Sequence, residues 1–402
     1  MSEEVDSAVR CILPIWRLLA VAAALSCGGC ILTPVAGPYS AAIDLGLSER
    51  GVQYGLVRIT APVIKLLAEY EPKGIAGTFP DKRPPPQIKF GIGDVVSVSI
   101  FEAAAGGLFI PIEAGVRPGN FVTLPNEPVD VHGNISVPYA GSIRAAGKTQ
   151  VEVQQAIVDA IRNRAIEPQA VVALVTQNTS LISVLGDVNL PNRFPAQPAG
   201  EHILDAITRA GGIKSQGFDT WVVLEREGRR ASVPFGALIY EPGNNIWVHP
   251  GDTIYVYQEA QTFLAFGAEG QQGQFAFGQW RLTLAEALAK ATGLLDTQAD
   301  PASVYLYRRE PRELAEKLGV DCSKFEGPTV PVVYNVSFRD PAGYFLGTKL
   351  TMRNKDVVFA ANAASVDINK LNVMIAGFVL NAEGITQTGV NVEQWRVLSG
   401  TR

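Results

Sequence analysis

The chain has 402 residues, of which 47% are hydrophobic and 18% are charged, and its formal net charge is −5. A chain of this length accommodates two to four domains, each with its own core. The mild acidic excess and the lack of a basic block argue against nucleic acid as a partner. The three histidines, His132, His202 and His249, are too far apart in sequence to form a metal-ligand motif, so a metalloenzyme is not indicated.

The first residues have the pattern of a secretory signal. Basic residues precede a short apolar stretch, Leu18 to Leu25, which is too short to cross a bilayer as a helix. Small residues then lead into two cysteines, as in a bacterial lipobox. We predict that residues 1–29 are removed and that Cys30, which follows two glycines, carries the lipid; Cys27 is the alternative acylation site. Incidental cysteines in a cleaved peptide and CxxC redox chemistry are the less favoured interpretations.

A leader is predicted over residues 30–86. Its many prolines, including Pro84-Pro85-Pro86, oppose a long helix and favour extended segments, with one strand at 52–60. Cys322 is the only cysteine far from this region. The surrounding DCSKFE offers no neighbouring histidine, so we interpret Cys322 as a structural or surface thiol and not as a nucleophile.

Regular structure is predicted to begin near residue 88. In GIGDVVSVSIFE a Gly-Asp turn precedes valines and isoleucine that alternate with serines, which indicates a half-buried strand. His132 lies in a turn before the next strand. Thr149 and Glu152 form a capping box that opens a helix, Pro168 follows that helix, and AVVALVT is the next strand.

These stretches, together with GNISVPYAGSIRAAGKTQVEVQQAI, resemble the polysaccharide export domain of outer-membrane auxiliary lipoproteins, the Wza-like and BexD-like (OPX) family. The shared pattern is a Gly-Asp before the first strand, a turn–strand–helix core and a proline ahead of the last strand. The CILTPVAGP leader resembles the mature start of the same family. The resemblance places the export domain at residues 87–178.

An internal repeat follows. The stretch from Val184 aligns without gaps with the stretch from Ala265, a shift of 81 residues, and pairs Gly186 with Gly267. Each unit is predicted as a strand, a hairpin, a helix that ends at glycine, and further strands that close with HPGDTIYVY or RNKDVVFAA. The second unit carries an insertion at 310–331, which we expect at the surface with a short helix in PRELAEKLG. Such units resemble ligand-binding β-grasp (SLBB) domains, here 179–260 and 261–364.

No catalytic constellation is recognisable in the sequence. Glu225 and Glu227 are interpreted as a solvated strand edge, and the glycine-rich GAEGQQGQFAFG as a hairpin and not a phosphate loop. Five aromatic residues could stack on sugars, but strand alternation favours core packing for most of them: Trp221, Trp247, Trp280, Tyr255 and Tyr257. We therefore expect no catalytic, cofactor or metal site, and only a covalent lipid on the N-terminal cysteine.

The C-terminal residues predict an amphipathic membrane helix within 365–402. Between Leu371 and Trp395 the only charged residues are Glu383 and Glu393. A helix over this stretch would rise about 37 Å, more than the ~30 Å hydrocarbon layer. Trp395 and Arg396 suit the membrane interface. The polar residues predicted to face a shared pore are Asn369, Asn372, Glu383, Gln387, Asn391 and Gln394. The alternative is a last strand of the second repeat followed by a frayed tail.

The resemblance implies an α+β multidomain lipoprotein of the outer membrane whose bulk lies in the periplasm. It further implies a homo-oligomeric ring, an octamer in the best-known relatives, that exports capsular polysaccharide or exopolysaccharide. An inner-membrane co-polymerase or adaptor and a transporter would be its partners. The alternative is a monomeric periplasmic carbohydrate-binding lipoprotein without a pore.

Overall fold

The computed structural model describes residues 37–46, 52–103, 107–109, 121–366, 368–370 and 372–373. The described residues form two compact units. One unit contains Pro72–Ala260 and Gly278–Trp280. The other contains the residues up to Glu71 together with Gln261–Phe277 and the residues from Arg281 onwards.

The N-terminal segment contains short helices and one strand, which are α1 (Ser40–Asp44), β1 (Gly55–Arg58), α2 (Ala61–Glu69) and α3 (Gly74–Thr78). The strand expected at 52–60 is confirmed as β1. The expected extended conformation is wrong for Ala61–Glu69, because Pro62 lies in the first turn of α2. A proline is tolerated there, since the amide hydrogens of the first turn have no partner within the helix.

The next domain is a small mixed α/β structure. Its elements are β2 (Val95–Phe101), β3 (Phe121–Thr123), β4 (Glu127–Pro128), β5 (Asn134–Val137), β6 (Gly141–Arg144), α4 (Gln150–Ile161) and β7 (Gln169–Thr176). Strand β2 pairs antiparallel with β3, β4 and β7, and β5–β6 is a separate hairpin. The alternation in β2 is confirmed, because Val96, Val98 and Ile100 are buried against α4 residues in one core cluster. The capping box of Thr149 and Glu152 is confirmed as well.

The first repeat contains β8 (Leu181–Gly186), β9 (Asn192–Pro195), α5 (Ile203–Arg209), β10 (Thr220–Arg226), β11 (Arg229–Pro234), α6 (Phe235–Tyr240) and β12 (Thr253–Gln258). The second repeat contains β13 (Thr262–Gly267), β14 (Gly273–Ala276), α7 (Leu284–Lys290), β15 (Ala299–Pro311), α8 (Arg312–Lys317), β16 (Thr329–Val336), α9 (Pro341–Gly347) and β17 (Val357–Asn362).

The two repeats share one topology, as the alignment predicts. The strand orders are β11-β10-β12-β8-β9 and β16-β15-β17-β13-β14. In both sheets the closing strand pairs in parallel with the opening strand, and the other pairs are antiparallel. The glycine-rich GAEGQQGQFAFG is the β13–β14 hairpin. The second sheet gains β1, which pairs in parallel with β16 as a sixth strand.

The insertion of the second repeat lies between β15 and β16. The predicted short helix is confirmed as α8, which begins after Pro311 and ends before Gly319. The expectation of a surface position is wrong for part of the insertion, because Leu314, Ala315 and Cys322 are buried in the core of the repeat. Cys322 is therefore a buried free thiol and not a surface thiol.

Candidate functional site

One turn opens a strand in each of the three domains. At its fourth position an aspartate side chain, from Asp94, Asp252 or Asp356, accepts a hydrogen bond from the backbone amide three residues earlier. The donors are Gly91, His249 and Arg353, at 2.8, 2.8 and 2.7 Å. All three carboxylates are buried, so these bonds help to satisfy groups that burial removes from water.

In both repeats this aspartate also binds an arginine of the neighbouring antiparallel strand, Arg226 on β10 or Arg308 on β15. Arg226 donates from Nε to Asp252 at 2.9 Å and from Nη2 to the carbonyl oxygen of Trp247 at 2.7 Å. Arg308 likewise donates to Asp356 at 2.9 Å and to the carbonyl oxygen of Thr351 at 2.8 Å. Each guanidinium binds both carboxylate oxygens, the bidentate geometry that favours arginine over lysine.

The second repeat adds a further buried acid to this pair. Glu310 is fully buried and accepts hydrogen bonds from the Tyr334 hydroxyl at 2.9 Å and from Arg353 at 2.7 Å. Burial, and then the nearby Glu310 carboxylate, raise the pKa of Tyr334, so its hydroxyl remains a donor. Two carboxylates and two arginines thus form one network where the first repeat has a single pair.

A glycine ends the first strand of each repeat. Gly186 and Gly267 have φ angles of 91° and 89°. A Cβ at either position would overlap a carbonyl oxygen of the closing strand, that of Val256 or that of Ala360. The aligned glycines therefore mark a place where two strands approach each other too closely for a residue with a side chain.

The second repeat also contains an acid without a partner. Glu269 is only 2% exposed, and neither carboxylate oxygen has a hydrogen-bond partner among the described residues. Burial raises its pKa to about 8. Glu269 bridges to Leu294 as Val188 bridges to Ile213 in the first repeat, so a carboxyl occupies the place of a core valine.

The N-terminal segment covers the outer face of the second sheet. Ile43 of α1 packs with Tyr305 and Phe359 in a separate buried cluster. The Tyr305 hydroxyl donates to Asp44 at 3.0 Å, and the Tyr54 hydroxyl donates to the carbonyl oxygen of Ile43 at 2.9 Å. Together with β1, these contacts fix the segment on the sheet face opposite the main core.

The corresponding face of the first repeat is more open. Tyr255 takes the place of Phe359 and is 49% exposed, whereas Phe359 is 6% exposed. The core-packing interpretation is wrong for Tyr255, and the other four aromatic residues are half-buried: Trp221, Trp247, Trp280 and Tyr257. The solvated edge is confirmed, since Glu227 is exposed and Glu225 pairs with Arg230 at 2.7 Å.

Several predicted site residues lie outside the described part of the chain. These are Cys27, Cys30, Glu383, Gln387, Asn391, Gln394, Trp395 and Arg396. Asn369 and Asn372 are exposed on residues 364–366, 368–370 and 372–373, which are helical. Within the described ranges, no helix combines the length and apolar character that a membrane crossing requires. The same ranges contain no cluster of three or more residues suited to holding a metal ion.

Comparisons with known proteins agree with the domain order. Residues 82–175 match the family model for "Polysaccharide biosynthesis/export protein", and residues 181–234 match the SLBB domain. The chain is 29% identical to the capsule polysaccharide export protein BexD of Haemophilus influenzae, over 93% of this chain and 98% of that protein. It is 31% identical to the capsule polysaccharide export outer membrane protein CtrA of Neisseria meningitidis, over 69% of this chain and 73% of that protein.

The chain belongs to the outer-membrane polysaccharide export (OPX) family. Another relative of this export protein is the Vi polysaccharide export protein VexA/TviF of Salmonella typhi, with 25% identity over 83% of this chain and 90% of that protein. The family consists of export proteins and not of enzymes, in agreement with the interpretation of the sequence.

Sequence reasoning missed the arginine–aspartate pairs of the export protein. A signal was present, because WVVLER and SVYLYRR each contain an arginine after the same alternating strand, and HPGD and RNKD each contain the aspartate. The repeat alignment could have paired them. The burial of Glu269 had no comparable signal, because it lies in a glycine-rich hairpin without alternation.

Proposed function

We propose that the export protein is a subunit of an oligomeric ring that forms a channel for capsular polysaccharide or exopolysaccharide through the periplasm and the outer membrane. The observation that carries this proposal is the similarity over nearly the whole chain to a capsule polysaccharide export protein. Two repeats of one topology after the export domain suit a subunit that contributes successive rings.

Membrane attachment has two parts in this proposal. A lipid on Cys30 anchors the amino terminus to the bilayer, and the amphipathic helix within 365–402 crosses the outer membrane. A single such helix would expose a polar stripe to lipid at a cost of several kcal/mol, whereas a ring of helices directs every stripe towards a shared water-filled pore. The described residues 364–366, 368–370 and 372–373 are helical, which supports the start of this helix.

In this proposal the ring catalyses no reaction and carries no cofactor other than the covalent lipid at the N-terminal cysteine. Transport is driven by an inner-membrane transporter, and a co-polymerase or adaptor docks on the periplasmic face. The polysaccharide is cargo, so its export requires a continuous path and not a reaction.

The oligomeric state tests this proposal. Full-length protein extracted in mild detergent should have a protein mass, measured by light scattering, that is several times the mass of one subunit. Deletion of residues 366–402 should leave a folded, lipidated body that no longer delivers polymer to the cell surface. A monomer in detergent would contradict the ring and favour the pore-free carbohydrate-binding lipoprotein.

The acylation site is tested separately. Cys30→Ser should abolish palmitate labelling and fractionation with the outer membrane, because the lipid has no other attachment point. Cys27→Ser is the matched control and should leave both unchanged. Labelling that disappears in Cys27→Ser and persists in Cys30→Ser would move the site to Cys27.

A further inference from the structure

The outer face of the second repeat contains a groove of about 480 Å³ beside the N-terminal segment. Its walls include Tyr54, Tyr307, Arg309, Pro331 and Lys355. A second hollow of about 410 Å³ lies on the other side of Tyr307, against Phe266 and Phe359 among others. Both volumes fall in the range of small-ligand sites, and the shared Tyr307 makes them neighbouring sections of one surface.

Among the residues that the structure describes, the groove presents positive charge that no lining carboxylate compensates. The Lys355 ammonium has neither a hydrogen bond nor an ion pair among the described residues, and Arg309 makes only a 3.5 Å contact with the Thr329 hydroxyl. Arg308 also lines the groove, but its guanidinium is occupied by Asp356. No carboxylate lines the groove among the described residues. Its charge therefore complements an anion.

The tyrosines of the groove are suited to a ligand that is both flat-faced and rich in hydroxyls. Tyr307 is half-buried, and its hydroxyl has no hydrogen-bond partner among the described residues. Burial raises the pKa of Tyr307 to about 12, so the hydroxyl stays protonated and available as a donor. Tyrosine rings offer an apolar face with a polar edge, which is the combination that a sugar ring requires.

A polypeptide is a poorer match for this groove. Peptides are commonly bound by adding a strand to a free sheet edge. Here the edge of β16 is already paired with β1, from Gly55↔Val332 to Arg58↔Asn335. The groove therefore offers a ligand side chains on a sheet face and not the backbone groups of a free strand edge.

Lys355 occupies a conformation that disfavours lysine. Its φ angle is 69°, whereas the same position of the turn is Gly93 in the export domain and Gly251 in the first repeat. The lysine is thus present at a conformational cost, which points to a use for its side chain. The first repeat has Glu227 where the second has Arg309, so the positive groove is confined to the second repeat.

We propose that this groove binds a segment of acidic glycan, with Lys355 and Arg309 pairing with its carboxylates and Tyr54 and Tyr307 lying against its sugar rings. The inference rests on the proposed function, because the exported polymer would supply the ligand. It adds a chemical class of cargo and a place of contact to that function.

The test uses full-length protein in mild detergent, titrated calorimetrically with a tetramer of galacturonic acid. The methyl ester of the same tetramer serves as the uncharged probe. The variant Lys355→Gln/Arg309→Gln should weaken binding of the acid about five- to tenfold. The double variant Lys317→Gln/Lys324→Gln removes two exposed cations of the same unit outside the groove and should bind like the unaltered protein.

Two further measurements separate the sugar from the charge. Tyr307→Leu should weaken binding of both the acid and the ester, because it removes a ring and a hydroxyl but no charge. A hexaglutamate peptide should bind more weakly than the tetramer. Equal binding of acid and ester, equal loss in both double variants, or tighter binding of the peptide would overturn the proposal. The mass of the same samples reports separately on the oligomeric state. An oligomer that binds no tetramer would reject the glycan site but not the ring. A monomer that binds the tetramer would reject the ring but not the glycan site.

Discussion

In the first repeat one ion pair, Arg226 and Asp252, links β10 to the turn before β12, whereas in the second repeat Arg308 and Asp356 link β15 to the turn before β17 and are joined by the additional acid Glu310. The backbone around these groups is the same, including the turn that presents each aspartate. The comparison therefore distinguishes the interactions that both copies of the fold share from those that only one copy has. The arginine–aspartate pair belongs to the topology, and the larger network belongs to the second copy.

Other differences between the copies follow the same division. The glycines at 186 and 267 are shared because two strands approach too closely for a side chain. Positions outside the named strands have diverged although their bridges are conserved in both copies, as Val188 and Glu269 show. The outer face has diverged most, since one copy covers it with the N-terminal segment and the other leaves Tyr255 exposed. Differences between the repeats are therefore the best places to look for separate roles.

The largest effect is expected from breaking the buried network. Asp356→Asn removes a charge that Arg308 and the turn both need, and leaves a guanidinium that is only 4% exposed without its bidentate partner. Loss of one partner of a buried pair costs about 3–5 kcal/mol. Hydrogen exchange should therefore accelerate strongly in β15 and β17, as measured peptide by peptide.

Asp252→Asn in the first repeat is the matched control. Arg226 is 11% exposed and Arg308 only 4%, so water can better solvate the unpaired Arg226 and the exchange of β10 and β12 should accelerate less. Equal acceleration in both repeats would show that the deeper burial of Arg308 does not enlarge the effect, and a larger effect in the first repeat would indicate that Glu310 replaces part of the lost contact to Arg308.

Glu269→Val should stabilise the second repeat, because it restores the residue that the first repeat has at this place. The folded chain holds the proton up to a pKa of about 8, whereas an unfolded chain loses it near 4.5. Between these values the folded state binds more protons, so stability falls as pH rises from about 4.5 to 8. The gain from the substitution should therefore grow over this range, reaching about 2–4 kcal/mol at pH 8. Denaturant midpoints at pH 5 and pH 8 measure it.

Glu269→Gln tests the origin of this slope. The amide is neutral at every pH, so this variant should lose the pH dependence of the denaturant midpoint without recovering the packing of valine. A slope that persists in Glu269→Gln would assign the dependence to another group and remove Glu269 from the comparison.

The sequence predicts the repeat well because equivalent residues recur at a fixed shift, and a strand or a capped helix needs only local patterns such as those of Val96 and Thr149. The packing of the N-terminal segment on the second sheet could not be predicted from local patterns, because it pairs residues far apart in the sequence, such as Gly55 and Val332. The prolines that predict an extended leader are equally compatible with a first turn of helix, as Pro62 shows. The groove at Lys355 could not be predicted, because its walls come from segments that only the folded chain brings together.

The smallest effect is expected at Lys355, where stability and the proposed binding should oppose each other. Lys355→Gly relieves a left-handed residue and should stabilise the second repeat by at most about 1 kcal/mol, partly offset by the greater freedom of glycine when unfolded. Gly251→Lys imposes the same conformation on the first repeat and should destabilise it by a similar amount. Denaturant midpoints of both variants measure this pair of opposite shifts. If Lys355→Gly is destabilising, the lysine already contributes to folding through its own contacts, and its conformation would no longer be an argument for a ligand. If the variant is more stable and also binds the galacturonic acid tetramer more weakly, the second repeat gives up stability at this turn to keep a cation at the groove.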